Sequence, residues 1–105
     1  MVEFRTGRID FPGRKGFGPQ TEDRNESFSN PIRNRTFAVI LTGYELKFDD
    51  ADHHLHLANI DVQGTLSDPT TVEVTCTLAL RDNSGNWDDT YSGYVAYTVI
   101  AETEP

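Results

Sequence analysis

Between Val72 and Leu80 apolar and polar side chains alternate: Val72, Val74, Cys76, Leu78 and Leu80 share one side, and Glu73, Thr75, Thr77 and Ala79 share the other. A period of two belongs to a β-strand with one face on a core and one face toward water or a partner. The same rule recurs along the chain. Val2, Phe4 and Thr6 alternate with Glu3 and Arg5 in a short first strand that Gly7 bends or bulges before Ile9. Thr36 to Phe48 reads as one long strand, with Phe37, Val39 and Leu41 on one face and Ala38, Ile40, Tyr44, Leu46 and Phe48 on the other. Both faces begin apolar, which predicts burial on both sides in its first half, and Gly43 marks a candidate bulge. A further strand runs to Val62, and the last spans Tyr91 to Ala101, with Tyr91, Gly93, Val95, Tyr97 and Val99 in phase.

No segment carries a helical period over ten or more residues. Turn chemistry separates the strands, at Gly64 to Pro69 and at Asp82-Asn83-Ser84-Gly85-Asn86, the latter read as a hairpin connection. The expected fold is therefore all-β, an antiparallel β-sandwich of about six strands. A length of 105 residues suits one domain over 1–105. Asp10 to Arg35, with Pro12, Gly13, Gly16, Gly18, Pro19 and Pro31, is expected to be a long irregular loop, and Phe11, Phe17 and Phe28 argue that parts of it pack.

The formal net charge is −8 and the pI about 4.6. A phosphate backbone or an anionic membrane surface repels such a chain, so nucleic acid is not the expected partner. Six of the nine basic residues lie between Arg5 and Arg33 while the rest is strongly acidic, an asymmetry suited to contact between copies. Cys76 stands alone, which excludes an intramolecular disulfide, and its phase with Val74 and Leu78 predicts a buried, inert thiol. The first residues lack the apolar run of a signal peptide, and no stretch of about 18 apolar residues is present to cross a bilayer. The chain reads as soluble, either cytoplasmic or exported by a route that needs no such signal.

Asp49-Asp50-Ala51-Asp52-His53-His54-Leu55-His56 gathers three carboxylates and all three histidines. Its position between apolar runs predicts a hairpin turn with the histidines entering the next strand. There His54 and His56 project side by side, and Asp50 or Asp52 would complete a mixed nitrogen and oxygen site for a divalent ion. A second cluster of histidine or cysteine is lacking, so no bound metal is favoured and half-buried strand histidines are the plainer expectation. Oxygen ligands also recur at Asp82, Ser84, Asn86 and Asp88. Trp87 stands where a calcium loop needs glycine and the bidentate glutamate is missing, so a hairpin turn is expected there.

Trp87 and Tyr91 beside Asp82 and Asn86 offer a flat apolar platform ringed by hydrogen-bonding groups. A pyranose, with its apolar C–H face and equatorial hydroxyls, requires that combination. These four residues are the candidate ligand surface; the competing expectation is that Trp87 caps the core. No Gly-x-Ser-x-Gly elbow, phosphate loop or Cys/His pair is present, and no catalysis is expected.

Thr6-Gly7-Arg8-Ile9-Asp10, the long segment after it, and Tyr91-Ser92 leading into Tyr97-Thr98-Val99-Ile100-Ala101-Glu102 resemble the opening and closing of the H-type lectin domain. The resemblance implies a six-stranded antiparallel β-sandwich that forms trimers and binds galactose-type sugars near the protomer boundaries. It maps a sugar-contacting tyrosine onto Tyr91. The family's Trp/His contact pair is replaced by Leu80-Arg81 or Arg81-Asp82, and its closing Trp-Ile by Thr98-Val99 or Val99-Ile100. Two functions follow as expectations: a self-associating glycan-binding module, or a structural subunit of a larger particle whose basic arm before Arg35 docks on a neighbour's acidic body.

Overall fold

The computed structural model describes residues 1–14, 19–48, 55–82 and 91–105. The described residues are all-β and form six strands: β1 (Val2–Arg14), β2 (Gln20–Ser27), β3 (Ile32–Phe48), β4 (Leu55–Asp68), β5 (Thr71–Asp82) and β6 (Tyr91–Thr103). They form two antiparallel three-stranded sheets packed together, ordered β1-β6-β3 and β2-β5-β4.

The central strands β5 and β6 carry the cleanest alternation because each is paired on both edges and covered on one face. Val72, Val74, Cys76 and Leu78 from β5 meet Val95, Tyr97, Val99 and Ala101 from β6 in one core. All but Ala101 have no solvent exposure. Ile9, Phe11, Phe28 and Ile32 close the core from the side. Burial of an aliphatic side chain of this size stabilises the fold by about 1.5–3 kcal/mol.

Several boundaries differ from those the sequence suggests. The first strand continues through Gly7 to Arg14, and Pro12 is tolerated because β1 is an edge strand whose register shifts after Phe11. The segment expected to be irregular from Asp10 to Arg35 contains β2. Its sequence QTEDRNES has no apolar phase because it is an edge strand at the polar rim, held by ladder bonds to β5 from Gln20↔Leu78 to Ser27↔Thr71. The loop expected from Gly64 to Pro69 is mostly strand. The turn shrinks to Pro69-Thr70, where Asp68 Oδ1 accepts from Thr70 N at 2.9 Å and from Thr70 Oγ1 at 3.0 Å. These bonds hold the Asp68 carboxyl below its usual pKa.

Neither expected hairpin is one. β3 and β4 belong to different sheets, as do β5 and β6, so neither pair of strands forms a hairpin. Among the described residues only β4 and β5 are consecutive strands paired with each other.

The long strand β3 is not buried on both sides. Between Leu41 and Gly43 the register shifts against β6, with Leu41 opposite Tyr97 and Gly43 opposite Ala96. The extra residue flips the parity, so Phe37, Val39, Leu41, Tyr44, Leu46 and Phe48 all pair with inward residues of β6. Ala38 and Ile40 are left on the outer face, where Ile40 is 43% exposed. Gly64 of β4 makes room beneath this strand: a Cβ there would run into Val39 Cγ2 and lie 3.1 Å from Phe37.

Candidate functional site

Strand direction places three connections at one end of the sandwich. Arg14, Tyr91 and Phe48 stand in one row across the first sheet, and Leu55 pairs with Asp82 in the second. Tyr91 joins the two sheets at that end. Its ring is fully buried and its hydroxyl donates to Leu78 O at 3.3 Å, beside Gln20, which pairs with Leu78. Burial raises the Tyr91 pKa. Gln20 is buried there too, and among the described residues its Nε2 has no hydrogen-bond partner.

Of the residues the sequence singles out, Tyr91 therefore lies inside the sandwich, beneath that end. Asp82 closes β5, and His56 is the second residue of β4. Asn86 and Trp87, and likewise Asp50, Asp52 and His54, lie outside the described residues. Among the described residues no group of three or more His, Cys, Asp or Glu converges on a common point.

The same end carries an arrangement that the sequence did not single out. Beyond the row of Tyr91, the outer face of the first sheet presents Tyr94 of β6 between Asp10 of β1 and Glu45 of β3. Val95 next to it points into the core, which fixes Tyr94 outward by strand alternation. Arg8, one outward position back along β1, lays its guanidinium over the Tyr94 ring, 3.8 Å from the centroid. Asp10 holds it there through two contacts to Oδ1, from Nε at 2.9 Å and Nη2 at 2.8 Å. Diagonal neighbours across an antiparallel pair lie within reach of long and aromatic side chains, which explains the stack. On the other flank Lys47 approaches Glu45 at 3.7 Å.

Together Arg8, Asp10, Pro12, Glu45, Lys47 and Tyr94 border a shallow groove of about 280 Å³. Its chemistry is a half-buried aromatic ring among fixed donors and acceptors. Such a groove offers donors and acceptors to a small polyol on several sides, with one face of its ring already covered by Arg8. It contains no positioned nucleophile and base pair. The only sequence signal for it is that Arg8, Asp10 and Tyr94 each fall on the outward phase; their convergence depends on the register of β1 against β6.

Below the groove the two sheets are tied by polar contacts. Tyr97 is fully buried, and its hydroxyl crosses to Glu26 of β2. Burial, then the Glu26 carboxylate, raises its pKa. Gly7 permits this crossing, because a Cβ at that position would meet the Tyr97 ring and hydroxyl and lie 2.9 Å from Glu26 Oε2. Arg24 donates to Arg8 O, and Arg5 donates to Ser27 O at 3.1 Å while covering the Phe28 ring at 4.6 Å. These contacts tie β1 to β2, the facing edge strands of the two sheets.

Comparison with protein families, with curated proteins and with solved structures finds no match to this chain.

Proposed function

We propose that this protein is a non-catalytic carbohydrate-binding module, with the glycan held at the connection-bearing end of the sandwich. The observation that carries this reading is the Tyr94 groove, an aromatic ring flanked by Arg8, Asp10, Glu45 and Lys47 on a rigid sheet. A site on strands keeps its geometry, and connections leaving the same end supply further contacts. In sequence Trp87 and Asn86 lie between Asp82 and Tyr91, which end β5 and begin β6 at the groove's end of the sandwich, and on this reading they extend the ligand surface. A groove of this size suits one sugar ring better than a large apolar ligand. The six-stranded, two-sheet architecture is also the one that the resemblance to H-type lectins implies.

A glycan array tests the reading. Wild-type protein is expected to retain a subset of glycans, and Tyr94→Ala and Arg8→Ala to lose that retention while keeping the far-ultraviolet spectrum of a β-protein. Trp87→Ala is expected to weaken it as well. Retention of no glycan by wild type, or undiminished retention by Tyr94→Ala, rejects the site.

A second reading, a structural subunit without sugar binding, is favoured by a separate observation: Val2 and Phe4 are 58% and 59% exposed on the outer face of the first sheet. An assembly protein would retain no glycan and would lose its oligomer when this surface is changed.

A further inference from the structure

The outer face of the first sheet changes character along its length. At the end away from the groove, three successive rows read Val2↔Glu102, then Phe4↔Ile100↔Ala38, then Thr6↔Thr98↔Ile40. Val2, Phe4 and Ile40 are exposed, and the only charge in these rows is Glu102 at the margin. At the groove end the charges are paired within the face, Arg8 with Asp10 and Lys47 with Glu45.

The outer face of the second sheet is the opposite. Asp23, Glu73 and Asp61 stand on it among threonines, on the side of each strand away from Val72, Val74 and Cys76. Their field is felt in the core, where burial first, and then Asp61 and Asp23, raise the Cys76 thiol to about 11. With a net charge of −8, two copies approach each other at lowest electrostatic cost through the first sheet.

We propose that the apolar end of the β1-β6-β3 face docks against the same face of a second copy of this chain. The inference does not depend on glycan binding. Strands β1 and β3 flank β6 on either side, so a two-fold axis along β6 exchanges them. Phe4 of one copy then comes over Ala38 of the other, a large side chain against a small one, in the row both share with Ile100. Sheets pack face to face about 10 Å apart by this kind of interdigitation. The three rows, five residues of β1 by three strands, span about 17 by 14 Å and leave the Tyr94 groove outside the contact. A contiguous apolar patch is also what a soluble β-protein covers rather than leaves to water.

Mass in solution at micromolar concentration tests the proposal. Wild type is expected near twice 11.8 kDa. Phe4→Gln/Ile40→Gln is expected at the monomer mass with an unchanged far-ultraviolet spectrum, since both side chains are exposed. Ala38→Arg, which fills the hollow facing Phe4, is expected to give the same loss by an independent route. Asp61→Asn on the opposite face is expected to leave the dimer intact. A monomeric wild type, a three-fold mass, a dimer that survives both face variants, or one lost in Asp61→Asn overturns the two-fold face.

Discussion

At the scale of the residue, Gly7 and Tyr97 show how one missing side chain admits a polar tie across the core. The Tyr97 hydroxyl reaches Glu26 through the space a Cβ at position 7 would fill. Gly7→Ala is expected to destabilise by about 1–3 kcal/mol, the usual cost of overpacking. Tyr97→Phe removes the hydroxyl from that space, so the double variant is expected to lose less than the sum of the two single losses. Urea unfolding of the four proteins measures the difference.

Cys76 gives a pH dependence of definite sign. Its thiol is raised from 9.0 to about 11 by burial and by the carboxylates of Asp61 and Asp23, so the folded state keeps a proton that the unfolded chain releases. Stability is therefore present in full below about pH 9 and falls as pH rises toward 11, by about 2–3 kcal/mol for this group. Tyr97 and Tyr91 are raised in the same direction and add to the alkaline loss from about pH 10 upward. Cys76→Val is expected to delay the fall, which denaturant midpoints measured between pH 8 and 11 would show; an unchanged profile assigns the loss to the tyrosines.

At the scale of the element, β3 is shaped by two register shifts, one between Ile32 and Phe37 and one between Leu41 and Gly43. The first contains Asn34 and Arg35 at φ 50° and 56°. Asparagine tolerates the left-handed region, whereas arginine carries the Cβ penalty there. Arg35→Gly is expected to gain up to about 1 kcal/mol and Arg35→Val to lose about as much, read from thermal melts. The second shift decides which side of the strand is the core. Deleting Thr42 would remove the extra residue and keep Leu41, Tyr44, Leu46 and Phe48 on one face in strict alternation. That variant is expected to keep a cooperative unfolding transition in urea, whereas an added residue at this point, which would turn Tyr44, Leu46 and Phe48 outward, is expected to lose it.

At the scale of the molecule, charge sets the conditions for self-association. Copies with a net charge of −8 repel at long range, while the proposed docking face is apolar with its charges internally paired. Raising the salt from about 0.01 M to about 0.15 M shortens the Debye length from about 30 Å to about 8 Å and is expected to strengthen the dimer. Sedimentation at the two salt concentrations measures it. Dissociation on adding salt would point instead to attraction between the basic arm and an acidic neighbour.

The alternation of Val72 to Leu80 and of Tyr91 to Ala101 was enough to establish an all-β chain and the inward phase of its two central strands, because burial on one face writes a period of two into the sequence. An edge strand writes that period only where it carries apolar residues toward the core, as β1 and β3 do. β2 is not legible for that reason, since its residues face a polar rim and it is held on β5 by backbone hydrogen bonds and by polar pairs such as Asp23 with Thr75. The parity of Tyr44, Leu46 and Phe48 is not legible because a bulge adds one residue and leaves no mark beyond a glycine. Whether a turn joins neighbours or crosses between sheets is likewise not local information. The groove at Tyr94 and the hollow at Ala38 belong to that class: each is made by residues from three strands, and only the register of β1 and β3 against β6 brings them together.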